Sequence, residues 1–270
     1  MLEGAVQFVT AQLGFSAMSL VAVLIVLFAS GIVSGLAGFA FSAIAASVLW
    51  LLPPLKAMPL IMVLSLCNMV MSFVRLGIQV RFLPDGNEAE GALPYIVGGL
   101  IGVPLGIHIL GASTPAVFSI VLGGFLFVYS VFSALRAEGR SLAMGGWKPA
   151  FAVGAVGGVV GGFSGFPGSA PLVYLDMIGV KKADVRSLSQ PYIMAMQVVS
   201  LAMLAVTRPA VFDAGFWLLF LVSLPVVLLG TNLGVGLYRR LSDVAFKKAV
   251  LVLLMVSGSS LVAKALLMPH

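Results

Sequence analysis

The sequence predicts an all-α polytopic membrane protein made of two inverted repeats, each a re-entrant or broken helical hairpin followed by three transmembrane helices. Three observations carry that expectation: a large excess of apolar residues, a glycine pattern that occurs twice, and basic residues that collect on one side of the predicted spans. Apolar residues make up 61% of the 270 and charged residues 9%, with a mean hydropathy of +1.16. Soluble domains carry about 25% charged residues, so this chain cannot cover itself with polar surface. Its apolar runs are continuous rather than alternating, which predicts helices and not a barrel.

A spanning helix needs about 20 mostly apolar residues. Runs from Leu20 to Ala37, Met58 to Val74, Leu93 to Leu110, Ala116 to Leu135, Tyr192 to Val206, Phe216 to Leu237 and Ala249 to Leu266 supply them. The start, Met1-Leu2-Glu3-Gly4, has no basic stretch before its apolar run, so no cleaved signal peptide is expected. Cys67 is the single cysteine, which excludes an intrachain disulfide and a cysteine metal cage and leaves it as a small apolar helix residue. A pI near 9.7 raises nucleic acid as a partner. The Lys and Arg lie in short connections and form no basic domain, so membrane orientation explains them and no nucleic acid is expected.

Sliding the chain by 127 positions lays Gly31, Gly35, Gly38, Phe39 and Ser42 over Gly158, Gly162, Gly165, Phe166 and Ser169. With one residue of slack, Gly102 and Gly106 fall on Gly230 and Gly234, and Phe118 on Phe246. The halves are thus 1–140 and 141–270. Each opens with a glycine-punctuated segment, Leu20 to Leu52 and Trp147 to Ile178, of 33 and 32 residues. That is too long for one span and too short for two, which predicts a hairpin turning at Gly38 to Ser42 and at Gly165 to Ser169.

Charge discriminates between topologies. With hairpins, the connections at 75–91, 136–148, 179–187 and 238–248 share one face and carry 12 of the 15 basic residues, leaving Lys56, Arg208 and Lys264 on the other. With single broken crossings the split is 8 against 7. The positive-inside rule prefers the hairpins. The halves are then inverted and both termini lie outside, the usual plan of secondary transporters with a site at the repeat interface.

The glycine trios at i, i+4 and i+7 are explained by close helix packing. The residues after them are different. Pro167, Gly168 and Pro171 break a helix, and a break at membrane depth is tolerated only inside protein or beside a polar cavity. A restarting helix points N-H donors and a positive dipole end at its surroundings, which suits an anion. Ser42 and Ser169 stand where either an N-cap or a ligand-facing hydroxyl would be. Arg186, ahead of Ser187, Ser189, Gln190 and Tyr192, is a candidate to attract the anion, while Arg75 at a helix end is expected to snorkel. Asn68, Gln197, His108 and Asn232 lie within apolar spans, where interhelical hydrogen bonding is the default and ligand contact the sharper alternative. His108 would matter if a proton were coupled to transport. Asp176 is expected at the interface, and the shortage of buried carboxylates speaks against a cation pump. No HExxH, GxSxG or P-loop is present, so no enzyme is expected, and no cofactor or resident metal.

The duplicated GxxxGxxG run, Gly31, Gly35, Gly38 and Gly158, Gly162, Gly165, with the Gly102/Gly106 and Gly230/Gly234 pairs, resembles the TauE/SafE family of sulfite and organosulfonate permeases over nearly the whole chain. Where that family has a Gly-Gly-Gly run, this chain reads Phe39-Ala40-Phe41-Ser42 and Phe166-Pro167-Gly168-Ser169. The resemblance implies movement, often outward, of sulfite, thiosulfate, sulfoacetate or a related sulfonate. The expected binding residues are Gly38, Phe39, Ser42, Gly165, Phe166, Gly168, Ser169, Arg186, Gln190 and Gln197. The expected surroundings are lipid of a prokaryotic cytoplasmic (inner) membrane, with a proton or other ion as a candidate coupling partner. A passive anion channel, a permease for an unrelated organic anion and a substrate-free scaffold are the other readings.

Overall fold

The first helix, α1 (Ala17–Ala37), begins where the Ser16 hydroxyl accepts the Ser19 amide at 3.0 Å and stops at Gly38, whose φ is +82°. That left-handed stop costs a glycine little and caps the helix by returning the Gly38 amide to the Ser34 carbonyl at 2.6 Å. A short helix α2 (Phe41–Ala45) follows, running on as a 3-10 turn over Ala46–Trp50, and then come α3 (Pro54–Leu76), α4 (Ala92–Ala112) and α5 (Pro115–Leu135). The second half repeats the order: α6 (Trp147–Ser164), a stop at Gly165 with φ +68°, short α7 (Ser169–Met177), then α8 (Lys182–Thr207), α9 (Ala214–Tyr238) and α10 (Asp243–Leu267). This computed structural model describes residues 16–38, 40–77, 79–83, 91–135, 146–180, 182–238 and 243–267, and among them every regular element is helical.

Six of these helices, α1, α3, α4, α5, α8 and α9, are long and apolar enough to cross a membrane. Their outward faces carry exposed Val21, Ile25, Ile101, Leu105, Val121, Leu221 and Leu229, the surface of a protein solvated by lipid rather than water. The first segment of each half is a helical hairpin with one short arm. A Cβ on Gly161 would sit 2.4 Å from Pro167 and one on Gly157 would sit 2.9 Å from Pro171, so α7 doubles back along α6.

The duplicated glycines meet across the halves. Gly35 of α1 lies against Thr231 and Gly234 of α9, and Gly106 of α4 lies against Val159 and Gly162 of α6. A Cβ on Gly35 or Gly106 would come within 2.5 or 2.2 Å of a backbone oxygen, so only glycine permits this approach. In both seams residue numbers rise together, and the paired helices are parallel. Each half therefore packs its first helix against the second helix after the other half's hairpin, α4 or α9.

The central pair, α3 and α8, runs the opposite way. Lys56 at the start of α3 pairs with Asp213 beyond the end of α8 at 3.3 Å, Ser65 meets Gln197 in the middle, and Arg81 beyond α3 pairs with Asp184 at the start of α8 at 3.3 Å. These two helices hold the same place in their halves and are antiparallel. The end marked by Lys56 also holds Arg208, which donates to the Gly111 carbonyl at 3.3 Å, and Lys264, which lies 5.8 Å from the Trp50 ring in a cleft of about 190 Å³. The three basic residues that charge counting placed on one face thus share one end.

Candidate functional site

Two helix breaks and the two central helices frame the candidate site. At the first break the last carbonyls of α1 have no intrahelical donors, and the negative end of the helix dipole is exposed there. Helix α8 supplies the partners. Its Arg186 guanidinium donates to the Leu36 carbonyl and its Gln190 Nε2 donates to the Gly38 carbonyl at 3.1 Å. Both side chains close on the bare face of Gly38, where a Cβ would stand 2.7 Å from Gln190 Nε2 and 3.1 Å from Arg186 Nε. Helix α8 begins at Lys182, ten residues before the apolar run that starts at Tyr192, and this is what carries Arg186 and Gln190 into the protein.

At the second break the central helix α3 contributes an apolar lining. A Cβ on Gly165 would stand 3.3 Å from Met62 Cγ and 4.0 Å from Met58 Sδ, both on α3 and both fully buried. Phe166 is buried with its ring edge-on to Tyr129, centroids 6.4 Å apart. Gly168 packs so closely on α8 that a Cβ would fall 2.6 Å from Ile193.

Capping by the two serines is not what the structure contains. The cap positions are Ala40 and Gly168, neither with a side-chain cap, and Ser42 and Ser169 lie one position apart within the first turns of α2 and α7. In α7 the physical reason is plain: the third helical residue is Pro171, which has no N-H for a cap to bind. Ser169 is fully buried and its Oγ has no hydrogen-bond partner, while its own amide reaches back to Phe166 at 3.4 Å. The free amides expected at this helix start are accordingly fewer than the sequence suggested. Ser42 is buried within α2, and Phe39 lies outside the described residues.

Arg186, Gln190, Ile193 and Gln197 follow one another at intervals of four, three and four and so form one stripe of α8. Gln190 touches the first break and Ile193 the second; three helical residues span about 4.5 Å, so both breaks lie against one short stretch of this helix. Adding 128 to Met58, Met62, Ser65 and Met69 of α3 gives those four α8 positions. The α3 stripe was not singled out from the sequence, since a methionine in an apolar span carries no signal, but the repeat offset applied to Arg186 and Gln190 points straight to it.

Gln197 donates to the Ser65 hydroxyl at 2.8 Å, which joins the stripes, and its Oε1 is buried without a partner. Asn68 bridges α1 and α9: it donates to the Ser34 hydroxyl at 2.6 Å and accepts from Thr231 at 2.6 Å. His108 and Asn232 do not join helices in this way; both face outward, as does Arg75. Asp176 is exposed near the end of α7. Among the described residues no group of three or more His, Cys, Asp or Glu could hold a metal ion.

A family model described as Sulfite exporter TauE/SafE matches residues 23–261. The chain belongs to the TauE/SafE family. The match takes in both breaks, both stripes and both glycine seams. As a TauE/SafE member, this multi-pass membrane protein falls in a family of transporters for sulfur anions. No curated protein and no solved structure matches it.

Proposed function

We propose that the chain is a secondary transporter, working as an exporter, of a small sulfur-containing anion such as sulfite, thiosulfate or an organosulfonate. One observation carries the reading: α8 brings a guanidinium and a buried amide to the break at Gly38 while its next turn touches the break at Gly168. An anion between the breaks would meet the Arg186 charge, the Gln190 amide and the Ser169 hydroxyl. Substrate is moved unchanged, without chemistry on it.

Residues 1–140 and 141–270 act as two inverted repeats that rock about the α3/α8 pair and expose the site alternately. The antiparallel course of these equivalent helices supports that reading, as does the gathering of Lys56, Arg208 and Lys264 at one end. That end and both termini face outward from a prokaryotic inner membrane. Reporter fusions should therefore report residues 85 and 140 inside and His270 outside; a cytoplasmic His270 refutes the inverted plan.

Purified protein in liposomes should give saturable flux of at least one of sulfite, thiosulfate and sulfoacetate. Flux proportional to concentration without saturation would make it a passive channel. No flux for any of them sinks the substrate assignment. Running the assay with and without a proton gradient identifies or dismisses proton coupling.

A further inference from the structure

The break itself orients the Gln190 amide. Its partner at the break is the Gly38 carbonyl, 3.1 Å away, and a carbonyl only accepts. The nitrogen must face Gly38 and Oε1 must point elsewhere. That oxygen is buried and has no hydrogen-bond partner, on a side chain with no solvent exposure. A buried acceptor left in this way is costly and calls for a donor. Ser169 at the other break is more permissive, because a hydroxyl can donate or accept.

The Arg186 guanidinium stands beside the same glycine as the amide. The first break thus offers a positive group that suits an anion and, next to it, an acceptor that suits an O-H or N-H. A fully deprotonated oxyanion carries acceptors only, and would set its own oxygens against Oε1. We infer that the guest carries a hydrogen-bond donor as well as its negative charge: a hydroxy- or amino-substituted sulfonate, or a singly protonated oxyanion. Of the anions named above, singly protonated sulfite then fits best, and thiosulfate and sulfoacetate, which carry no donor, are poorer guests, as is a plain alkylsulfonate. The inference rests on the transport reading of this site and specifies the chemistry that the site selects.

The test is binding of matched anions to the purified full-length chain by calorimetry. Hydroxymethanesulfonate and ethanesulfonate have the same charge and similar size and differ by an O-H in place of a methyl. The hydroxy compound should bind roughly tenfold more tightly, or better. In Gln190→Met that ratio should collapse toward one. Aminomethanesulfonate and singly protonated sulfite, the latter compared at acid and alkaline pH, distinguish N-H from O-H sources. Equal affinity for the matched pair in the wild-type chain overturns the inference and leaves anion transport standing. Failure to bind any sulfur anion removes the transport reading and the inference together.

Discussion

The break at Gly38 and the break at Gly165 hold the same place in their halves, stop a helix with the same left-handed glycine, and are each faced by two residues one turn apart on the central helix of the other half. The first is faced by Arg186 and Gln190, the second by Met62 and Met58. The fold thus demands the glycine and the close approach but not the polarity. The Arg186 guanidinium is part-buried and held by the Leu36 carbonyl, whereas methionine adapts to an irregular gap at little cost. At these equivalent positions the framework thus carries a cation on one side only.

The strongest way to break this comparison is to make the first break a copy of the second. Arg186→Met with Gln190→Met should lower affinity or flux in liposomes by roughly 10- to 100-fold, the scale of one charge-assisted hydrogen bond. Retained transport would show that the polar lining is structural. Next come the glycines themselves. Alanine at either position is strained by about 1–2 kcal/mol in the left-handed region, but Gly38→Ala also drives its Cβ to 2.7 Å from Gln190 Nε2, whereas Gly165→Ala meets Met62 at 3.3 Å. Both should lower thermal stability, with Gly38→Ala also losing flux; equal flux in the two variants would deny the first break its special role.

Ser169→Ala removes a buried hydroxyl that bonds to nothing in the protein. Its melting temperature should hold or rise while flux falls a few-fold, and a fall in both would make Ser169 structural. The smallest effect is expected far from either break. Asp213 accepts the Phe216 amide at 2.7 Å and, to a lesser degree, feels Lys56; together these hold its carboxyl below the ordinary range. A depressed carboxylate contributes stability that is present above the unfolded value of about 3.9 and is lost as pH falls through the folded value. Asp213→Asn should therefore lower the neutral-pH melting temperature slightly and leave flux unchanged, with the difference from the wild type vanishing as pH falls below about 4.

Repetition in the sequence reveals the glycine pairs but not their partners. Nothing in the spacing of Gly31, Gly35, Gly230 and Gly234 says that they meet each other, because the pairing spans both halves. Arg186 and Gln190 stand out as polar groups beside an apolar run, and the structure brings them together at Gly38. The serines mislead because a hydroxyl near a break resembles a cap, and only the placement of Gly168 and Pro171 decides against it. His108 and Asn232 mislead because helical phase, not polarity, decides whether a side chain in a span faces protein or lipid.

The crossed seams also bear on biosynthesis. Gly106 and Gly162 are 56 residues apart along the chain, while Gly35 and Gly234 are 199 apart. At about 5–20 residues per second, α1 waits roughly 10–40 s for α9 to be made, long after α4 and α6 can have joined. Through that interval Ser30 and Ser34, buried in the finished protein, have no helix of the second half against them. The α4/α6 seam can close first, α1 waits longest for its partner, and α5, whose Gly123 packs on Gly258 of α10, is completed last.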